Sequence, residues 1–298
     1  MILTPQTLNG IYVPLVTPFD EAGQVNVSEM RTLIGSMLDS GVLGFVAAGT
    51  TGEGYALSFD ERRLVLTTIV DQVAGAVPVL AGVGGMSTHE AIDQAILAKR
   101  SGVTGLMLAA PSYCLPTESE LVTHVAHVVK AVELPTVLYD YPARTGVSFT
   151  NQVLDSLARN ELVIGIKEAS RDLTRLTWLS SEFADNLAIV CGADLDSPVF
   201  LDSGVKCWIG GIANLLPAAH VAMLDTTQRS EVFAAISPIL GFIESGHYNA
   251  KIKAGMNSLG AHVGAPRAPI GSFASNESGM AELTSLLTNA RKWAPTFP

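Results

Sequence analysis

Apolar residues along this chain fall in short, near-continuous runs rather than in strict alternation. Eight runs stand out, at 11–15, 44–48, 77–83, 105–110, 136–139, 163–166, 187–190 and 207–212. Unbroken apolarity over a few residues marks a strand covered on both faces, as in a parallel sheet. Between most of the runs the spacing becomes helical. Met30, Leu33, Ile34, Met37 and Leu38 form one stripe within 27–38, and Leu64, Leu66, Ile69, Val70 and Val73 another within 60–73. Ser87 and Thr88, ahead of Glu90, read as the N-cap of a helix reaching Lys99. Segments 119–132 and 151–157 continue the series. Strand and helix alternating every ~30 residues predict an α/β fold, a (β/α)8 TIM barrel. After it the pattern is helical only, at 217–224, 231–240, 249–259 and 278–292. Residues 1–215 are therefore expected to form the barrel and carry the active site. Residues 216–298 are expected to pack on it as a C-terminal α-helical region. An open doubly wound sheet is the alternative. Gly82-Val83-Gly84-Gly85 lacks the full G-x-G-x-x-G pattern and falls in the third unit, which disfavours a nucleotide-dependent oxidoreductase.

Composition narrows the function classes. The 298 residues are 48% hydrophobic and 15% charged, which suits one large core and excludes extended disorder. Eighteen Lys and Arg against 28 Asp and Glu give a net charge of −10. Binding driven by phosphate neutralisation is thereby disfavoured, so no nucleic-acid partner is expected. No apolar run approaches the ~18–20 residues of a membrane span, and no membrane partner is expected. Residues 1–10 lack a basic start and an apolar stretch, so no signal peptide is read. Cys114, Cys191 and Cys207 are widely spaced, and two of them lie in apolar runs. They read as reduced thiols of a cytoplasmic protein rather than as disulfides or ligands. His124 and His127 share a helix face, but no acid or cysteine joins them, so no metal site is expected.

Barrel chemistry sits at the C-terminal ends of the strands. There the chain places Thr17, then Gly49-Thr50-Thr51-Gly52-Glu53, Pro111-Ser112-Tyr113, Tyr139-Asp140-Tyr141, Lys167-Glu168-Ala169-Ser170 and Gly192-Ala193-Asp194. Lys167 is the sharpest signal, because it directly follows the apolar run 162–166. Burial of an ammonium is costly and favours the neutral amine, a nucleophile toward carbonyls. An ion pair with Glu168 or Asp194 is the structural alternative. Tyr139 could move a proton near Lys167, or simply fill the core. Thr50 and Thr51 offer hydroxyls at a glycine-flanked turn suited to a carboxylate, though an ordinary turn has the same composition. Arg144 offers a guanidinium at the same mouth, or a solvated loop residue.

Taken together these residues resemble the dihydrodipicolinate synthase and N-acetylneuraminate lyase family of Schiff-base enzymes. The resemblance runs from Gly10-Ile11-Tyr12-Val13-Pro14-Leu15-Val16-Thr17-Pro18-Phe19 through Gly49–Glu53, Leu138-Tyr139, Pro142-Ala143-Arg144-Thr145-Gly146 and Gly165-Ile166-Lys167-Glu168-Ala169-Ser170. It ends with Lys251-Ile252-Lys253 and Pro266-Arg267-Ala268-Pro269. It implies that Lys167 forms a Schiff base with pyruvate or another 2-keto acid. Tyr139 and Thr51 would relay the proton, Thr50 and Thr51 would hold the keto-acid carboxylate, and Tyr113 would complete a neighbouring subunit's site. Gly192 and Ile212 would line the pocket through backbone groups. It implies a homotetramer built as a dimer of dimers, with no metal and no organic cofactor.

Arg144 matches the arginine that holds the carboxylate of aspartate semialdehyde in the synthases, so that condensation is the leading expectation. A keto-acid aldolase, a dehydratase and a hydroxypyrroline-carboxylate deaminase of the same family remain open. So does a non-catalytic keto-acid-binding protein. Asp140-Tyr141 departs from the synthase pattern and is expected to change the pocket's charge and size. Met86, Ser112, Gly54 and Tyr55 stand where lysine-regulated members carry other residues, which implies that the lysine allosteric site is absent.

Overall fold

The computed structural model describes residues 2–295 and 297. Its eight strands fall on the eight apolar runs. They are β1 (Gly10–Pro14), β2 (Gly44–Ala47), β3 (Val79–Val83), β4 (Gly105–Ala109), β5 (Thr136–Asp140), β6 (Val163–Glu168), β7 (Ala188–Cys191) and β8 (Cys207–Ile209). Each pairs in parallel with the next, and β8 closes on β1, so the sheet is a barrel and not an open one. β8 is shorter than the run that predicted it. Gly211–Asn214 turns into a 3-10 helix, whose Asn214 side chain binds both Pro14 O (3.0 Å) and the Val16 amide (3.1 Å).

Continuous apolarity is explained by two cores on opposite faces of the sheet. Tyr12, Val46, Leu80, Met107, Val137, Ile164, Val190, Cys207 and Ile209 fill the lumen, and Leu3 and Leu8 join them from the N-terminal segment. Phe45, Leu106, Leu138, Ile166 and Trp208 face the helices. At β6 the alternation slips. Thr136 pairs with Val163 but Val137 with Gly165, so Ile164 is an extra residue, a β-bulge. Ile164 faces the lumen and Ile166 the helices, yet Lys167 is again on the inner side.

The helices begin where side chains can satisfy their first amides. Asn26 caps Val27–Asp39 and Ser87 caps Thr88–Arg100. Ser58 with Glu61 and Thr117 with Glu120 form capping boxes for Phe59–Val73 and Glu118–Val132. Two barrel helices, Leu173–Glu182 and Ser197–Asp202, left no clear apolar stripe; the first buries only Leu176 and Leu179. No helix among the described residues is long and apolar enough to cross a membrane.

Beyond β8 the longer elements are the helices Pro217–Ala222, Arg229–Glu244, Tyr248–Ser258 and Glu277–Asn289. Polar locks join it to the barrel. Glu53 and Lys253 form a buried ion pair at 2.5 Å, with side chains no more than 1% exposed. The Arg267 guanidinium forks onto Glu61 (2.5 and 2.9 Å) and stacks on Phe19, 4.1 Å from the ring centroid. That fork holds the Glu61 carboxyl down at about 2. The tail motifs of the resemblance are thus the residues that fasten the tail.

Candidate active site

Tyr139 on β5 and Lys167 on β6 are opposite each other in register. Both turn into the lumen at its C-terminal mouth, and Lys167 Nζ lies 4.3 Å from the centroid of the Tyr139 ring. Lys167 is 6% exposed. Burial drives its ammonium from the ordinary 10.5 down to about 8, against the opposing pull of the Asp194 carboxylate. Burial likewise pushes the Tyr139 phenol well above its ordinary value.

The ion-pair alternative for Lys167 has no geometric support. Among the described residues no carboxylate lies within 4 Å of its Nζ. Glu168, next along the strand, faces the helices and pairs with Arg175 Nε at 2.6 Å. Asp194 is taken by other donors: Trp208 Nε1 at 3.0 Å and the Tyr248 hydroxyl at 2.9 Å, with the His220 ring 3.7 Å away. Burial opposes ionisation of Asp194, but His220, Tyr248 and the Lys167 charge outweigh it and lower its pKa.

Around Lys167 lies a cavity of about 200 Å³, lined in part by Thr50, Thr51, Arg144 and Gly192. The loop carrying the threonines is fixed by Thr17, which donates to Gly52 O at 2.6 Å, and by Asn249, which donates to Thr50 O at 2.9 Å. Gly82 is needed there for close approach, since a Cβ would meet Gly49 Cα at 2.5 Å. The glycine stretch of β3 therefore seats the threonine loop rather than a dinucleotide. Gly192 keeps the wall thin, because a Cβ would sit 3.0 Å from Lys167 Cε. Among the described residues the hydroxyls of Thr50, Thr51 and Tyr139 and the Lys167 amine make no hydrogen bond. Several unspent polar groups thus converge on one small space, as a ligand site requires.

Two sequence expectations need correcting. Ile212 is buried one residue into the 3-10 turn; Ile209 and Gly211 line the cavity instead. Asp140 does not charge the pocket. It alternates outward from Tyr139, binds Arg175 (2.7 Å) and Ser148 (2.8 Å), and burial raises its pKa to about 6. Tyr141 does line the cavity, with its ring 6.1 Å from that of Tyr139. Tyr113 is 88% exposed at φ +71° and lines neither this cavity nor the groove beside it. A wider groove of about 760 Å³ shares Thr50, Tyr139 and Arg144 and runs past Tyr55, Met86 and Ser112.

Sequence reasoning missed the C-terminal contribution to the mouth. Glu244, His247, Tyr248 and Asn249 line the same cavity as Lys167, so residues beyond 215 help build it. No motif announced them, because they cluster at the junction of two helices. His124, read as a helix-face histidine, is buried and bonds Thr88 at 2.9 Å. No group of three or more His, Cys, Asp or Glu among the described residues is placed to hold a metal.

Comparison with known proteins agrees with this geometry. The model of the dihydrodipicolinate synthetase family matches residues 7–290. A 4-hydroxy-tetrahydrodipicolinate synthase of Exiguobacterium sibiricum is 31% identical over 280 residues, 92% of this chain and 95% of that protein. One from Thioalkalivibrio sulfidiphilus is 36% identical over 227 residues, 76% and 77% of the two chains. The chloride-inhibited dihydrodipicolinate synthase of Acinetobacter baumannii, solved in complex with pyruvate, superposes with a TM-score of 0.91 at 29% identity. That match covers 96% of this chain and 99% of the other.

Proposed function

This chain belongs to the dihydrodipicolinate synthetase family, and on that premise we propose that Lys167 condenses with pyruvate to begin a 4-hydroxy-tetrahydrodipicolinate synthase-like reaction with aspartate semialdehyde. One observation carries the reading: a buried lysine with no carboxylate within 4 Å among the described residues, set against Tyr139 in a cavity edged by unspent hydroxyls. With a pKa of about 8, about a quarter of Lys167 is neutral at pH 7.5, against about a thousandth for an ordinary lysine.

The neutral Nζ adds to C2 of the keto acid, and loss of water leaves a protonated imine. That imine is an electron sink, so C3 can lose a proton. Tyr139 and Thr51 carry it, while the Thr50 and Thr51 hydroxyls receive the carboxylate. The resulting enamine carbon attacks the aldehyde, and Arg144 holds the second substrate's carboxylate. The aldehyde oxygen becomes a hydroxyl, and the second substrate's own amino group then adds to C2, closes the ring and displaces Lys167 as the free amine. Gly192 and Ile209 shape the wall.

Tyr113 and the neighbouring exposed Tyr55, Phe59, Met86 and Leu115 support an assembly in which Tyr113 reaches a partner's site. The proposal is a homotetramer built as a dimer of dimers. The thiols of Cys114, Cys191 and Cys207, all free, support a reducing, cytoplasmic setting.

The test is incubation with pyruvate and borohydride, then intact mass and peptide mapping. An adduct on Lys167 is expected, followed by turnover of aspartate semialdehyde. An adduct only with a longer keto acid or hydroxypyrroline carboxylate would move the assignment to the dehydratase or deaminase reactions. No adduct from any keto acid would replace catalysis with binding.

A further inference from the structure

Arg171, directly beyond the β6 end, lines the Lys167 cavity and carries φ +67°, a left-handed conformation that non-glycine residues seldom adopt. Its guanidinium is held by Glu244 through Nη2. Glu244 is itself anchored, since its other oxygen accepts the backbone amides of Asp194 (3.1 Å) and Leu195 (3.3 Å). Both Glu244 oxygens are thereby occupied, whereas Nε and Nη1 of Arg171 have no partner among the described residues. The side chain is 52% exposed. Arg144 is differently held: its neighbour is the Tyr141 ring, 5.2 Å away, and no carboxylate among the described residues pairs with it. Of the two guanidiniums at the mouth, Arg171 is the pre-organised one.

We infer that Arg171 is a specificity-determining residue for the second substrate, joining Arg144 on the one carboxylate at the far end of the acceptor aldehyde. The inference rests on the Schiff-base reading above and deepens it. A guanidinium with free donors in a fixed frame suits a planar carboxylate. A half-exposed Arg–Glu pair adds little stability, and glycine would relieve the backbone. A purely structural role therefore gives no reason for arginine at this position.

The experiment compares succinic semialdehyde with butanal, two four-carbon aldehydes that differ in the terminal carboxylate, at saturating pyruvate. The unmodified protein should prefer the carboxylated aldehyde. In Arg171→Gly the ratio of their kcat/KM values should fall by about tenfold or more, the loss expected for a charge-assisted hydrogen bond. Arg171→Lys should recover part of the preference. Pyruvate KM and the borohydride-trapped adduct on Lys167 should not change. An unchanged ratio in Arg171→Gly with the adduct intact would overturn the inference alone. So would an unmodified protein without the preference, or an equal loss on both aldehydes with slower trapping. Absence of the adduct in the unmodified protein would instead remove the Schiff-base reading, and this inference with it.

Discussion

Replacing Lys167 with methionine should make the protein more stable while abolishing its chemistry. The amine is 6% exposed, and burial moves its pKa from 10.5 to about 8. At 1.36 kcal/mol per pH unit, holding the charged form in place costs about 3 kcal/mol at neutral pH. Between pH 8 and 10.5 the folded state binds fewer protons than the unfolded chain, so stability rises with pH across that window. Below 8 the whole penalty applies, and above 10.5 none does. Methionine is close in volume and carries no charge. It leaves Asp194 without its nearby cation, but the Tyr248 and Trp208 hydrogen bonds remain. The gain at pH 7 should therefore be about 1–3 kcal/mol, below the ceiling set by the lysine alone. Urea unfolding of both proteins at matched concentration, from pH 6 to 10.5, measures the difference. It should shrink steadily above pH 8 and vanish near 10.5. A difference that ignores pH, or a methionine variant less stable at pH 7, would refute the claim that Lys167 is held against its own hydration.

Other consequences follow from the same geometry. Tyr139→Phe removes the hydroxyl with little change in packing, so condensation should slow by about 10²-fold while the pyruvate adduct still forms, as stopped-flow and trapping would show. Arg175→Ala strands the buried Asp140 and Glu168 carboxylates and should cost about 3–5 kcal/mol in denaturant unfolding. Glu53→Gln leaves Lys253 buried without its counter-charge, and a loss of similar size, about 3–5 kcal/mol, is expected by the same assay. If Tyr113 completes a partner's site, dilution to monomers should lower specific activity, and a monomer of full specific activity would rule the sharing out.

The strands were legible because parallel strands buried on both faces leave no polar positions, and each apolar run marks one. Lys167 was legible for the same reason, as a cation ending such a run. What escaped depends on orientation and on neighbours distant in sequence. Asp140 looked like a pocket charge because sequence order does not say which face it takes. Its fate is set by Arg175, 35 residues later. Ile212 fell one residue past the cavity wall because β8 ends early and turns. Glu244, His247 and Asn249 gave no signal, since only tertiary packing brings the tail to the barrel mouth. Leu173–Glu182 escaped because a helix that buries two residues leaves no stripe to read.

The extra residue in β6 makes the strand a counter. Ile164 and Lys167 both face inward although three positions separate them, so two parities are joined in one strand. Were the same residues to alternate strictly from the outward Val163, the Lys167 amine would point into the helix layer beside Arg175 and the Glu168 carboxylate into the lumen. Removing Ile164 would take out the bulge and leave Val163 outward and Lys167 inward, so one lost residue spares the amine's direction. Removing a second would turn the amine outward. The count of residues from Val163 to the lysine is therefore as much a part of the site as the lysine itself.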